Sequence, residues 1–455
     1  MTIAPLLVTP DDYSLLTDLY QLTMTACYVG EGLDQRRASF ELFVRRLPQN
    51  YGYLIAMGLA QALEFLQSFH FSDRHLIALQ ESGIFDQAPP AFWEVLRGAR
   101  FTGDVWAVAE GTAVFAQEPL LRIEAPLWQA QLVETYLLNT LNYQTLIATR
   151  AARLRDVAGP QSKLFEFGTR RAFSPQGSVW AARAALTGGL DATSNVLAAL
   201  QLGQKPVGTM AHALVMAIAA TAGSEVEAFH AFHRYFPKAT LLIDTYDTLA
   251  AARQLAELRQ QGRTALAGVR LDSGDLAVLS QQVRELLPDV SILASGDLDE
   301  YEICRLKQAQ ACIDGYGLGT RLVTGSPVNG VYKLVEIDGI PVMKQSTSKV
   351  TYPGRKQIFR QYQDNRLVKD SLGLAWETHN GSTCPLLTLV MQNGDLVRPL
   401  DSLETIAQRS AQSVKALPDK ARAVHDPIPV SVDRTSALLE LTKATQQMSA
   451  STSTI

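Results

Sequence analysis

Gly268-Val269-Arg270-Leu271-Asp272-Ser273-Gly274-Asp275 is the stretch on which the reading of this chain turns. Its apolar residues bracket a single arginine, and the chain then breaks into a turn holding two carboxylates. The pattern reads as a short strand ending at Leu271. Buried charges must be paired or must bind something. An ion pair, with Asp275 capping the next helix, explains these residues one at a time. Three charges at one strand end exceed what capping requires. The run therefore points to a ligand site at the carboxyl end of a strand, where (β/α) barrels keep their active sites.

Outward from this stretch the design recurs. Leu241-Leu242-Ile243-Asp244-Thr245-Tyr246-Asp247 places Asp244 at a strand end and Asp247 at a helix start. With Asp272 and Asp275 it forms an acidic rim suited to Mg²⁺ or a developing cation. Downstream, Ser295-Gly296-Asp297 and Gly315-Tyr316-Gly317-Leu318-Gly319-Thr320-Arg321 end two consecutive units in glycine. Glycines let backbone N–H groups close on a phosphate, and late strands of a barrel commonly do so. Upstream, Phe165-Glu166-Phe167-Gly168-Thr169-Arg170-Arg171 offers an aromatic ring and two guanidinium forks. Val207-Gly208-Thr209-Met210-Ala211-His212 sets a histidine after another strand end, among anion-binding residues.

Strand ends expected near Phe167, Asp191, Thr209, Asp244, Leu271, Ala294 and Leu318 lie about 18 to 35 residues apart, the length of a βα unit. Intervening helices are expected at Ser178–Leu186, Thr248–Gln261, Leu276–Leu287 and Leu298–Ala311. Such a series suits a closed parallel barrel or a doubly wound sheet. The barrel is preferred, because no strand leads into an intact G-x-G-x-x-G helix start and polar residues stand at nearly every strand end. The middle region, 151–330, is thus an α/β zone carrying the site.

Residues 1–150 read differently. A helix is expected over Tyr13–Gly30, then strands Ala38–Leu47, Tyr53–Met57, Val105–Val108 and Leu120–Ile123. They are interrupted by a helix over Gly58–Phe69 and a break at Pro89-Pro90, and a long helix, Trp128–Arg153, leads out. Residues 331–455 turn antiparallel. Hairpins are expected around Asp338-Gly339 and Asn393-Gly394, and a Ser/Thr-rich tail, Gln446–Ile455, is expected to fray.

Length and composition bound the function. The 455 residues, 47% hydrophobic and 19% charged, provide core for two domains. Lys and Arg number 41 against 45 Asp and Glu, a net charge of −4, which excludes a broadly basic nucleic-acid binder. Cys27, Cys304, Cys312 and Cys384 show no C-x-x-C spacing. Met1–Asp12 lacks a secretory pattern, and no apolar run, Ala211–Ala222 included, is long enough to span a bilayer. A reducing cytoplasm and no membrane partner are expected.

Taken together, the stretches resemble nicotinate phosphoribosyltransferases. The resemblance rests on Thr17-Asp18-Leu19-Tyr20-Gln21-Leu22-Thr23-Met24, Phe165–Arg171, Gly208–His212, Asp244–Asp247, Gly268–Asp275, Ser295–Asp297, Gly317–Thr320, Val331-Tyr332-Lys333-Leu334-Val335 and Tyr352-Pro353-Gly354-Arg355-Lys356, in family order across about Tyr13 to Arg360. It implies an irregular (β/α) TIM-like barrel with an additional α/β sandwich domain built from N- and C-terminal segments. It also implies a homodimer with a composite site, Mg²⁺, and ATP hydrolysis coupled through a phosphohistidine. By that resemblance Tyr20, reaching a neighbouring subunit, Phe167, Thr209 and Arg270 surround nicotinate. His212 is the phosphorylated and catalytic histidine. Arg170, Arg171, Gly296, Gly317, Gly319 and Thr320 hold phosphoribosyl pyrophosphate. Asp244, Asp272 and Asp275 serve ribose, metal or the oxocarbenium, with Asp272 and Asp275 nearest the Mg²⁺.

Three rivals stay open on the sequence alone. Nicotinamide phosphoribosyltransferase shares the barrel and histidine, but a cationic Arg270 favours an acid over an amide. A barrel lyase or isomerase of phosphosugars needs a Schiff-base lysine or a clear base, and these strand ends hold no Lys. A non-catalytic binding protein does not need the acidic rim.

Overall fold

A computed structural model describes residues 6–344, 351–378 and 381–452, with side chains to 448. The chain divides into two compact units: Ile147–Ser326, and Met1–Leu146 together with Pro327–Ile455.

The first unit is built on a six-stranded parallel sheet. Its spatial order is Ala192–Thr193, Lys163–Glu166, Gly315–Leu318, Ser291–Ala294, Gly268–Leu271, Leu241–Leu242. The first strand in sequence, Lys163–Glu166, pairs with the last, Gly315–Leu318, from Gly315↔Lys163 to Leu318↔Glu166. Every other consecutive pair is laddered except one: no ladder joins Ala192–Thr193 to Leu241–Leu242, which form the two edges and leave a seam between Thr193 and Leu241. A doubly wound sheet would seat Leu241–Leu242 beside the first two strands. Strand interiors are apolar and buried, with Val269, Leu271, Ile292, Ala294 and Leu318 all inaccessible, as strands covered on both faces require.

The expected strand ending at Thr209 is missing from this sheet. Pro206 has no N–H to offer a ladder, and the segment's backbone bonds the sheet's backbone at Val207, whose N–H donates to the Thr193 carbonyl at 2.9 Å. Asp191 also differs from expectation. It precedes its strand, and its carboxylate accepts from the Leu164 N–H at 2.7 Å and pairs with Arg155. Helices alternate with the strands at Pro175–Thr187, Thr248–Gln260, Leu276–Leu286 and Glu300–Gln308.

The second unit carries a seven-stranded antiparallel sheet drawn from both chain ends. Its order is Ile340–Pro341, Gly330–Ile337, Arg37–Val44, Pro119–Pro126, Asp104–Val108, Leu387–Gln392, Asp395–Leu396. Both expected hairpins form. Asp338 and Gly339 have φ of 49° and 77°, and Asn393 and Gly394 have 51° and 87°, the double left-handed pair of a type I′ turn. A further sheet orders Thr383–Pro385, Lys356–Gln363, Arg366–Leu374 and Val432–Arg434.

The opening helix starts at Leu19, later than expected, because Asp18 is extended and Pro10–Asp12 forms a separate 3-10 turn. The long helix is two, Leu127–Leu132 and Glu134–Ala158, divided at Val133. At this break Gln131 donates to Gln21 at 2.6 Å, and Gln21 donates to Glu134 at 2.7 Å, so buried polar groups near the break are satisfied. The expected frayed tail is helical through Ser436–Thr452; residues 453–455 lie outside the described residues.

Candidate active site

The carboxyl ends of the parallel strands bring most of the expected residues together. Arg270 is the hub. Its Nε donates to Ser295 Oγ at 2.7 Å, one Nη to Thr209 Oγ1 at 2.9 Å and the other to Asp272 Oδ1 at 2.7 Å. The guanidinium carbon stands 5.8 Å from the centre of the Phe167 ring. Thr209 thus reaches the site although its segment is no strand. Burial pushes the Asp272 carboxyl up, but hydrogen bonds from Arg270 and Ser295, with the Arg270 charge, hold it below the usual range.

Asp244 is held from the next strand. Its Oδ2 accepts the Asp272 N–H at 2.9 Å and the Ser273 hydroxyl at 2.6 Å. Its Oδ1 is buried without a hydrogen-bond partner and faces His212 Nε2 at 4.0 Å. The other ring nitrogen, Nδ1, meets Thr245 Oγ1 at 3.1 Å. The His212 side chain is 41% exposed, while that of Asp244 is 2% exposed. An accessible imidazole backed by a buried carboxylate is arranged for chemistry, whereas a packing histidine would be enclosed.

The glycines have steric reasons of their own. A Cβ on Gly296 would lie 2.3 Å from the Asp272 carbonyl oxygen, and Gly296 has φ of 96°. A Cβ on Gly317 would strike the Phe167 ring at 2.6 Å. These positions therefore fix the approach of neighbouring strand ends and the seat of the aromatic ring. Gly319 precedes the short helix Thr320–Val323. Arg170 and Arg171 are exposed on the turn after Phe167, and neither forms an ion pair among the described residues. Asp275 Oδ1 caps its helix, accepting from the Ala277 and Val278 N–H groups at 3.1 and 3.3 Å. Tyr20 belongs to the other unit, half-exposed, its hydroxyl 3.4 Å from Glu134.

Sequence reasoning left several contributors unassigned. Ser295 and Thr245 sat within quoted stretches, yet a lone hydroxyl gives no sign of its partner. Glu166 is buried between the Thr193 hydroxyl, at 2.5 Å, and the Gly168 N–H. It fixes the turn that carries Phe167 and the two arginines. Burial pushes its carboxyl up, only partly offset by those two donors.

Family profiles match residues 15–142 (nicotinate phosphoribosyltransferase N-terminal domain), 162–294 (nicotinate phosphoribosyltransferase family) and 374–442 (C-terminal domain). Nicotinate phosphoribosyltransferase pncB2 of Mycobacterium tuberculosis is 41% identical over 425 residues, covering 91% of this chain and 89% of that protein. The chain belongs to the nicotinate phosphoribosyltransferase family. The Bacillus subtilis nicotinate phosphoribosyltransferase is 45% identical over 367 residues, covering 77% and 73% of the two chains. The crystal structure of human nicotinic acid phosphoribosyltransferase superposes with a TM-score of 0.82 at 30% identity, covering 94% of this chain and 99% of that one.

Within the family frame one carboxyl stands out that the sequence did not mark. Glu225 opens the helix Glu225–Tyr235, and its Oε1 is buried without a hydrogen-bond partner. Burial, then the nearby Asp244 and Asp247 carboxylates, push it up to about 7. A raised carboxyl favours the protonated fold, so its stabilisation is complete below the unfolded value near 4.3 and is lost as pH rises through about 7. Glu225→Gln should therefore flatten the fall in melting temperature between about pH 5 and 8. A wild-type slope retained by the variant would assign the dependence elsewhere.

Proposed function

We propose that this chain joins nicotinate to the ribosyl group of phosphoribosyl pyrophosphate, giving nicotinate mononucleotide and pyrophosphate in NAD salvage. Beside family membership, one observation supports the acid as substrate: a guanidinium at a strand end, next to an aromatic ring, with hydroxyls arranged around it. A carboxylate gains a charge-assisted pair there, about twice as strong as a neutral bond. An amide does not.

In this reading the pyridine nitrogen attacks C1 of the ribose, and the C1–O bond to pyrophosphate breaks. Phe167 stacks the ring, Arg270 and Thr209 meet its carboxylate, and Tyr20 closes the pocket from a neighbouring subunit of a homodimer. Arg170 and Arg171 hold the pyrophosphate. Backbone groups at Gly296, Gly317 and Gly319, with Thr320, take the 5-phosphate. Asp244 and Asp272 stabilise positive charge developing at C1. The seam between Thr193 and Leu241 is spanned by residues 194–240, which complete an irregular barrel, and the unit from both chain ends supplies the sandwich domain.

Mg²⁺ fits this donor set. Among the described residues no group of three or more His, Cys, Asp or Glu gathers to hold a metal. Mg²⁺ commonly needs only one or two carboxylates beside substrate phosphates and water. Asp272 and the uncommitted side of Asp275 would be those carboxylates, and the ion would neutralise charge on the leaving pyrophosphate. ATP enters through His212, whose exposed imidazole takes the γ-phosphoryl group as its bond to the β-phosphate breaks and ADP leaves. Among the described residues no helix is long and apolar enough to cross a membrane.

The decisive assay offers nicotinate and nicotinamide side by side with phosphoribosyl pyrophosphate, with and without ATP, and measures mononucleotide and pyrophosphate together. Nicotinate-dependent release, stimulated by ATP, is expected. Equal use of nicotinamide would remove the assigned role of Arg270, and no release with either would remove the reaction.

A further inference from the structure

The opposite, amino-terminal ends of the parallel strands show a repeated construction. Arg155, near the end of one helix, pairs with Asp191 at 2.6 Å, and Asp191 also accepts the N–H of Leu164 on the neighbouring strand. Arg284, near the end of another helix, pairs with Asp314 at 2.6 Å, and Asp314 accepts the N–H of Ile292 at 2.8 Å. In each case an aspartate just before a strand neutralises the arginine and satisfies the adjoining strand. Cations at helix carboxyl ends are favoured by the dipole, and here each also meets a carboxylate.

Each aspartate serves a strand pair, since Ser162 and Val290 stand before the partner strands; the third pair, Leu241–Leu242 with Gly268–Leu271, lacks the construction. Thr240 precedes Leu241–Leu242 and Ala267 precedes Gly268–Leu271, so neither strand start carries the aspartate. Between them opens a groove of about 520 Å³ lined by His230, His233, Arg234, Lys238, Arg263 and Thr264, with two further small residues and no acid. His233 is engaged through both ring nitrogens, with Thr264 Oγ1 at 3.0 Å and the Ala239 carbonyl at 2.9 Å. Arg263 also donates to the neutral Gln261 Oε1 at 3.4 Å. Among the described residues Arg234, Lys238 and Arg263 form no ion pair, whereas Arg259 close by reaches Asp289 at 3.8 Å. His230 adds a buried Nε2 with no hydrogen-bond partner.

We propose that this groove is a second anion site, binding the phosphate groups of a small ligand at the end of the sheet opposite the catalytic residues. Without such aspartates the groove presents a concave cationic surface with no acid in its lining. Guanidinium forks flanking an ammonium suit phosphate oxygens, and the volume lies within the range of small-ligand pockets. The site does not rest on the catalytic reading, because none of its residues belongs to that machinery.

Calorimetric titration of the full chain with inorganic pyrophosphate, and separately with ATP, tests it against an Arg234→Gln/Arg263→Gln double variant. One class of binding event should weaken roughly ten- to hundredfold in the variant, the effect of losing a charge-assisted bond, while binding elsewhere persists. Loss seen with pyrophosphate assigns the site to phosphate itself; loss seen with ATP alone assigns it to a nucleotide. Lys238→Glu, an exposed change outside any helix, repeats the test without touching helix ends. If the cations serve only the helix dipoles, the double variant melts earlier and all three proteins give superimposable isotherms. That result overturns the site. Nucleotide synthesis would be unaffected by it, so the outcome is separable from that of the transfer assay.

Discussion

Arg270→Ala should lose nicotinate affinity by roughly ten- to hundredfold, with a much smaller change for phosphoribosyl pyrophosphate. A charge-assisted hydrogen bond contributes about 1.5–3 kcal/mol, and each 1.4 kcal/mol is tenfold in affinity. The structure sharpens the expectation, because Arg270 is already tied to Ser295, Thr209 and Asp272. These partners aim the fork before substrate arrives, so little ordering cost remains for binding. Arg270→Lys keeps the charge but not the fork, and should recover only part of the loss. Removing the arginine also strips Asp272 of its cation, so its carboxyl should titrate higher in the variant. Steady-state constants for both substrates, measured across pH, check this. Equal weakening toward both would show that Arg270 supports the whole rim and not the acid.

The second large effect is expected at His212. ATP is not needed to balance base transfer, so its energy must enter through a separate enzyme state. That state matters only if it binds substrate or transition state differently. A coupling of about 1.4–3 kcal/mol would tighten phosphoribosyl pyrophosphate roughly ten- to hundredfold. His212→Ala should keep weak ATP-independent synthesis while losing ATPase activity and ATP stimulation. With γ-labelled ATP, only the wild type should carry an acid-labile, base-stable label. The imidazole is accessible, so the substitution should leave folding largely intact. ATP stimulation surviving in a well-folded, unlabelled variant would sink the phosphohistidine.

Much of the site is legible in the sequence because charges are expensive inside strands. Arg270 with Asp272, and Asp244 beside an apolar run, mark it from residue types and spacing alone. The two hairpins are equally plain, since Asp-Gly and Asn-Gly adopt the left-handed pair at little cost. What escapes is whatever depends on a partner distant in sequence. Thr209 meets Arg270 across 61 residues, and nothing local in its segment shows that it does so without being a strand. Asp191 looks like a strand end, but its role is set by Leu164 and Arg155. Asp275 stays ambiguous because a cap and a ligand use the same oxygen chemistry. Glu225 escapes because its position at a helix start, after Gly223-Ser224, is also where an ordinary first-turn acid belongs.

The sheet assembled from both chain ends has a consequence for synthesis on the ribosome. Phe40 pairs with Leu334, and Leu42 with Tyr332, so the strand Arg37–Val44 waits for a partner made nearly three hundred residues later. At about 5–20 residues per second, the delay is roughly 15 to 60 seconds. Throughout it, the apolar residues of the first strands stand without the edge they will join, while Ile147–Ser326 emerges complete and can close on its own parallel sheet. The parallel-sheet unit is thus the first to be completed. The nascent amino-terminal segment is the part left exposed, and slowing translation beyond Ser326 should lengthen that exposure while Ile147–Ser326 is already complete.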